Sequence, residues 1–203
     1  MEADVKRRNR SPTLYSAQAV RKYLNRAERK RALAIIAKLP PERALFAEML
    51  AWTGARVSEV LALTPASFQI DSAVVTFRTL KRDQSCREVP IPRKLMAALN
   101  RQFRLRVLQH APDLAVKRLW PWSRVTAWRC VKSIMSRAGI AGRQACPRGL
   151  RHSFGVGTVS CGVSLDNVQR LLGHASIETT TIYTDVSGPE LRAVLARFWR
   201  SGG

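Results

Sequence analysis

The sequence predicts a mainly α-helical domain with a small antiparallel β-sheet set into it. Three features carry that expectation. Most of the chain repeats apolar residues at three- and four-residue intervals between recognisable caps, as helices with one buried face do. In one place, SAVVTFRTL followed by REVPIP, the period shortens to two, as in paired strands. No internal repeat and no linker between two full domains interrupts the 203 residues. The simplest organisation is therefore a basic arm over residues 1–13 and one domain over residues 14–203, with no separate helical domain before it.

Each element has its own local reason. From Ser16, a plausible N-cap, a helix is expected with Ala19, Val20, Tyr23, Leu24 and Ala27 on one face. PERALFAEMLAWTG reads as a helix entered at Pro41, where a missing N–H costs nothing, and closed by Gly54. RVSEVLAL follows with Val57, Val60, Leu61 and Leu63 turned inward. Val74, Val75 and Phe77 mark a strand, KRDQSC is turn material, and REVPIP returns as far as Pro90 and Pro92. Leu95 to Leu108 is helical again, and a loop holding Pro112 leads to LWPWS, whose Trp120 and Trp122 are core anchors. Ser123 caps a helix through Ala138, ended by Gly139. CPRGLRHSFGVGTVSCG forms the next helical segment, closed by Gly162. SLDNVQRLLGH has Ser164 as its cap and Gly173 past its end, and SIETTTIYTD has Ser176 as cap and Glu178 in its first turn. The last helix, PELRAVLARFW, places Leu191, Val194, Leu195 and Phe198 at i, i+3, i+4 and i+7.

Charge narrows the partner. Lys and Arg number 35 and Asp and Glu 14, a net charge of +21, while 46% hydrophobic content excludes a disordered chain. A polyanion is implied: nucleic acid first, an anionic membrane surface a distant second. The N-terminus lacks the apolar core of a secretory signal, and no stretch approaches a membrane span, which points to the cytoplasm. Cys86, Cys130, Cys146 and Cys161 have no metal-pair spacing and read as buried or half-buried free thiols. His110, His152 and His174 likewise lack metal-ligand spacing. Lys6, Arg7, Arg8 and Arg10 form either a solvated tail or an arm that grasps backbone phosphates.

Breaking a DNA strand without metal or nucleotide needs a nucleophile in line with phosphorus, cations on the non-bridging oxygens, and an acid for the departing sugar oxygen. Arg suits the clamp because its planar fork donates two hydrogen bonds and stays charged. Tyr suits a reversible cut because a phosphotyrosine link keeps the bond energy. The sequence holds such parts in TGARVSEVLAL (Arg56), LKR (Lys81), GLRHSF (Arg151 and His152) and LLGHASIETTTIYT (His174 and Tyr183). A lone Tyr is more often a packing residue; the upstream Gly-His and the two Arg boxes reverse that reading.

This ordered set, from about residue 14 to residue 199, resembles the tyrosine recombinases, also called the phage integrase family. The resemblance implies the fold of a DNA breaking-rejoining catalytic core. It implies that Tyr183 attacks the phosphate and becomes linked to the 3′ end, that Arg56 and Arg151 hold the non-bridging oxygens, and that His174 bonds the phosphate beside them. Lys81 is the implied general acid, with its neighbour Arg82 leaving the register open by one and otherwise a DNA contact. Glu59, one turn after Arg56, is a candidate to orient an active-site Arg, with its partner open. His152 is expected to support the fold around the site.

One position departs from the family. Where a His usually stands three residues before the second Arg, this chain has Arg148. It can donate to phosphate but cannot act as a base, so the proton of Tyr183 must leave by another route. The implied activity is cofactor-free, site-specific recombination of double-stranded DNA through a 3′-phosphotyrosine intermediate, with four copies in a synapse. The chain looks like the short members that switch fimbrial promoters. The C-terminal helix either packs on its own domain or docks on a neighbouring subunit, and an accessory DNA-bending protein or a partner recombinase is a further implied partner. Two other readings stay open: a weak or inactive recombinase-like protein that only occupies DNA, and a type IB topoisomerase-like strand relaxer.

Overall fold

The structure, a computed structural model, describes residues 13–78, 86–174 and 177–184. Its helices are α1 (Arg26–Ile36), α2 (Pro41–Thr53), α3 (Val57–Leu61), α4 (Arg93–Phe103), α5 (Leu105–Leu108), α6 (Pro112–Ala115), α7 (Arg124–Arg137), α8 (Pro147–Ser160), α9 (Leu165–Leu172) and α10 (Glu178–Thr181). Between α3 and α4 lie β1 (Phe68–Gln69), β2 (Val74–Arg78) and β3 (Cys86–Pro90), an antiparallel sheet in the order β1-β2-β3. The expected fold class is the observed one. Among the described residues, no helix is long and apolar enough to cross a membrane.

Several boundaries follow from local chemistry as expected. Pro41 opens α2, and Gly54 ends it in the left-handed region at φ 63°. Ser123 accepts from the Thr126 N–H at the start of α7, and Ser164 caps α9 through the Asn167 N–H. Val75 and Phe77 are buried on β2 while Val74 and Thr76 are half-buried, the period of two that marked the strand.

Other expectations are corrected. No helix starts at Ser16. Its Oγ accepts from the N–H groups of Gln18 and Val20, Ala19 turns to φ 57°, and Tyr15 bridges Arg21, making a tight reversal. A serine that satisfies nearby backbone donors by itself competes with helix formation. Tyr23 and Leu24 are buried as expected, but Ala19, Val20 and Ala27 are exposed. The helix starts later, where Asn25 and Glu28 exchange a reciprocal pair of bonds of 2.8 and 2.9 Å with each other's backbone N–H. The span from Leu95 to Leu108 is split because Arg104 takes φ 53° between α4 and α5. The region around Pro112 forms the short α6 rather than a loop. Strand β3 includes Cys86, assigned above to the turn, and the two-residue β1 was too short to leave a periodic signal. Cys86 and Cys161 are exposed, whereas Cys130 and Cys146 are half-buried, and all four are free.

Two hydrophobic clusters hold the fold. The larger one joins α1–α4, the sheet and α7, with Trp120 fully buried and in edge contact with Phe46 and Phe103. Its indole N–H donates to the Glu42 carbonyl at 3.1 Å, which satisfies the one polar atom of an otherwise apolar payload. The smaller cluster gathers Leu14, Tyr23, Val156, Val168, Leu172, Ile182 and Tyr183. A cleft of about 680 Å³ has walls from several elements, including the segment before α1, the start of α3, α7, α8 and α10.

Candidate active site

The cleft is built from helix ends. Gly54 reverses the chain after α2, and a Cβ there would stand 2.6 Å from the Phe154 ring, so α2 and α8 approach closely at this point. Arg56 then occupies the N-cap of α3 with its side chain 45% exposed along the cleft wall. On α8, Arg148, Arg151 and His152 follow at i, i+3 and i+4, so they share one face, and all three line the cleft. Arg148 is exposed, Arg151 is buried and His152 is half-buried.

The C-terminal end of α9 is held by three arginines. Its last carbonyls lack helical partners and carry the negative end of the helix dipole. Arg87 Nε donates to the Leu171 carbonyl at 2.9 Å, Arg151 Nη2 to Leu172 at 2.8 Å, and Arg56 Nη2 reaches Gly173 at 3.5 Å. Arg151 Nη1 also donates to the Gly54 carbonyl at 2.6 Å, tying α9 to the end of α2. With Gly173 in the left-handed region, the chain turns and delivers His174 into the cleft.

Glu59 is the anion among these cations. It is buried and pairs with Arg56 at 2.8 Å and with Arg87 at 2.7 Å, and it also accepts from the Arg56 backbone N–H. Burial pushes its carboxyl up, but hydrogen bonds and charge from Arg87 and then Arg56 outweigh that and hold it below the usual carboxylate range. Burial and the charge of Arg56 bring Arg151 down to about 10, so it remains a cation at neutral pH.

Tyr183 has no exposed surface. Its ring lies on Gly155, where a Cβ would stand 2.5 Å from Cζ, and stacks nearly parallel to His174 with centroids 6.1 Å apart. Its hydroxyl is 3.1 Å from His152 Nδ1. Burial raises the hydroxyl to about 12, against the opposing pull of Arg151 and Arg56. Burial, then Arg148, Arg151 and Lys22, brings His152 down to about 4, and burial, then Arg151 and Arg56, brings His174 down to about 3. Both rings are therefore neutral at pH 7. His174 Nδ1 is 2.9 Å from Thr180 Oγ1.

Arg56, Glu59, Arg148, Arg151, His152, His174 and Tyr183 are thus brought together from four separate stretches of chain. Lys6, Arg7, Arg8, Arg10, Lys81, Arg82, Ser176 and the C-terminal helix lie outside the described residues. Arg87 was not singled out from the sequence, and neither were Lys22, Arg124 and Trp128, which also line the cleft. Arg87 left no local signal, because its place depends on strand register. In the β2–β3 register it stands opposite Phe77, a core residue, with its guanidinium 4.9 Å over that ring. Among the described residues, no three His, Cys, Asp or Glu side chains are placed to hold a metal ion.

Comparison with known proteins identifies the family and the fold. The sequence matches the phage integrase family over residues 22–189. The chain belongs to that family. It is 33% identical over 180 residues to a tyrosine recombinase XerA of Pyrococcus furiosus, covering 87% of this chain and 61% of that protein. The first curated relatives of the family are longer: the matched region spans 46–62% of their lengths. The fold superposes on the crystal structure of a XerA recombinase with TM-score 0.74 at 25% identity, covering 92% of this chain and 66% of that one. It also superposes on a XerH site-specific recombinase bound to its difH substrate in a pre-cleavage complex (TM-score 0.68, 22% identity, 91% and 59% covered), a likeness of fold.

Proposed function

We propose that residues 14–203 are the catalytic unit of a site-specific DNA recombinase that cuts and rejoins double-stranded DNA through a 3′-phosphotyrosine intermediate. One observation carries the reading. Arg56, Arg148 and Arg151 line a single cleft beside His152 and His174, and Tyr183 lies buried against both histidines. A phosphodiester is the anion that such a set of permanent cations accommodates, and the cations that repel one another in the free protein are each stabilised by it.

In this reading Arg56 and Arg151 take the non-bridging oxygens, Arg148 adds a third donor, and His174 bonds the phosphate beside them. Tyr183 attacks and Lys81 protonates the departing 5′ oxygen. Because Tyr183 is fully buried in the free protein, DNA binding shifts the segment around α10 enough to open its hydroxyl to the phosphate while the hydroxyl stays within reach of His152. The reading also includes contact between Lys6, Arg7, Arg8, Arg10, Arg82 and backbone phosphates. Four copies assemble a synapse through the C-terminal helix, with help from an accessory DNA-bending protein or a partner recombinase. Within the family, we liken the chain to the short invertases that switch fimbrial promoters.

A covalent trap tests it. The protein is incubated with duplexes of randomised sequence, each carrying a nick that blocks religation, and run on denaturing gels. Wild type is expected to form a protein–DNA band that Tyr183→Phe does not form. The burial of Tyr183 and the presence of Arg148 favour one second reading, a family member that occupies DNA without cutting it. Binding without a covalent band in wild type would establish that reading instead.

A further inference from the structure

We propose that His152 is the catalytic proton acceptor for Tyr183, doing the work for which Arg148 is chemically unsuited. The inference rests on the strand-cleavage reading above. It assigns to His152 a part in the reaction itself, where the sequence implied only a supporting one.

Geometry selects the residue. The Tyr183 hydroxyl has a hydrogen-bond contact to one ring nitrogen, His152 Nδ1 at 3.1 Å. When Nδ1 carries the lone pair and Nε2 the proton, the hydroxyl donates and the imidazole accepts. The other nearby groups cannot take the proton. Arg148, Arg151 and Arg56 stay protonated. His174 lies nearly parallel to the Tyr183 ring, its planes 13° apart, and its Nδ1 is engaged with Thr180. His152 also lines the cleft, so a proton received at Nδ1 can be passed on from Nε2 towards water.

The surrounding charge decides when transfer happens. Burial first, then the charge of Arg148, Arg151 and Lys22, keeps the ring neutral in the free protein. The phenol beside it is held protonated by burial, so no proton moves before DNA arrives. A phosphodiester seated on Arg148 and Arg151 offsets the cations that oppose charging of His152. As the new bond to phosphorus forms, the phenol oxygen loses electron density and becomes acidic. The step then balances: the Tyr183 Oη–P bond forms, the P–O5′ bond breaks, the Oη proton moves to His152 Nδ1, and the leaving oxygen takes its proton from the general acid. Religation reverses each transfer, with His152 returning the proton to Tyr183.

The test compares wild type with His152→Asn on the nicked random-sequence pool. Asn places a carbonyl oxygen close to the position of Nδ1. It accepts the Tyr183 hydrogen bond but binds no proton, so a purely structural role is preserved. Covalent-complex formation is expected to slow about 10²–10⁴-fold, the range for loss of general-base assistance. The fall in wild-type rate at acid pH is expected to vanish in the variant. A duplex with a 5′-bridging sulfur leaves without an acid. It should rescue loss of the general acid but leave the His152→Asn defect in place. If His152→Asn does not fold, His152→Ala supplemented with imidazole replaces it, and a rate that rises with imidazole is expected. A His152→Asn rate equal to or above wild type, or a His152→Ala rate indifferent to imidazole, overturns the proposal, and the hydrogen bond is then a latch on Tyr183. If wild type itself forms no covalent complex, the strand-cleavage reading falls first and this inference with it.

Discussion

Glu59 brings a carboxylate into the interior, where it holds two guanidinium groups at 2.8 and 2.7 Å. Removing its charge leaves Arg87, almost as buried, without its anion, and loosens Arg56 on the cleft wall. Glu59→Gln is expected to cost roughly 3–5 kcal/mol of stability, because breaking one side of a buried pair strands the other. Urea unfolding measures this, and a loss below about 0.5 kcal/mol, the range of an ordinary surface change, would contradict the ion-pair account. The sequence showed that Glu59 stands one turn after Arg56, so that half of the arrangement was legible from spacing. Arg87 was not legible, because its place beside Glu59 depends on strand register and on how the sheet packs against α3 and α9. The bond between His152 and Tyr183 was hidden for the same reason: no local rule relates a position on α8 to one beyond α10.

At the scale of elements, the parts best read from sequence are those that one residue settles locally. Pro41, Gly54, Ser123, Ser164 and Gly173 each solve a helix-end problem within four residues, and those boundaries stand as expected. The misread elements depend on competition. Ser16 had the residue type of a cap, but Asn25 with Glu28 forms the better one, and Arg104 breaks a periodic stretch whose pattern runs straight through. The docking of the segment carrying Tyr183 depends on another feature of an element, the bare surface of α8 at Gly155. Alanine there favours helix by about 1 kcal/mol, yet its methyl would stand 2.5 Å from the Tyr183 ring. Overpacking of this kind costs about 1–3 kcal/mol, so Gly155→Ala is expected to leave α8 intact and lift Tyr183 from its seat. Nitration of Tyr183 by tetranitromethane, read by mass spectrometry, should be slow in wild type and fast in Gly155→Ala. Equal rates would show that the seat tolerates the methyl group.

At the scale of the whole molecule, a net charge of +21 is a cost that the free protein bears through self-repulsion, and the cleft concentrates it. The two histidines record first their burial and then that concentration. Above pH about 6.5, the ordinary histidine value, folded and unfolded chains both hold these rings neutral. Below it, the unfolded chain binds protons that the folded chain refuses until pH about 4 at His152 and about 3 at His174. Stability must therefore fall as pH drops through that window. Glu59 acts in the same direction but begins later, since its carboxyl is ordinarily ionised above about 4.5. A decline already present between pH 6.5 and 4.5 is thus the signature of the histidines. Urea unfolding across pH is expected to show it in wild type and to show it reduced in a His152→Asn, His174→Gln double variant. A flat wild-type profile over that interval would mean that the cleft cations are better screened than their packing implies. Bound DNA should flatten the same limb, because phosphates on Arg148 and Arg151 remove the charge that makes protonation of the folded state costly. The acid sensitivity of the free protein, which burial begins and charge deepens, then shares one contributor with its affinity for a polyanion, a cleft assembled from cations whose partner is supplied from outside.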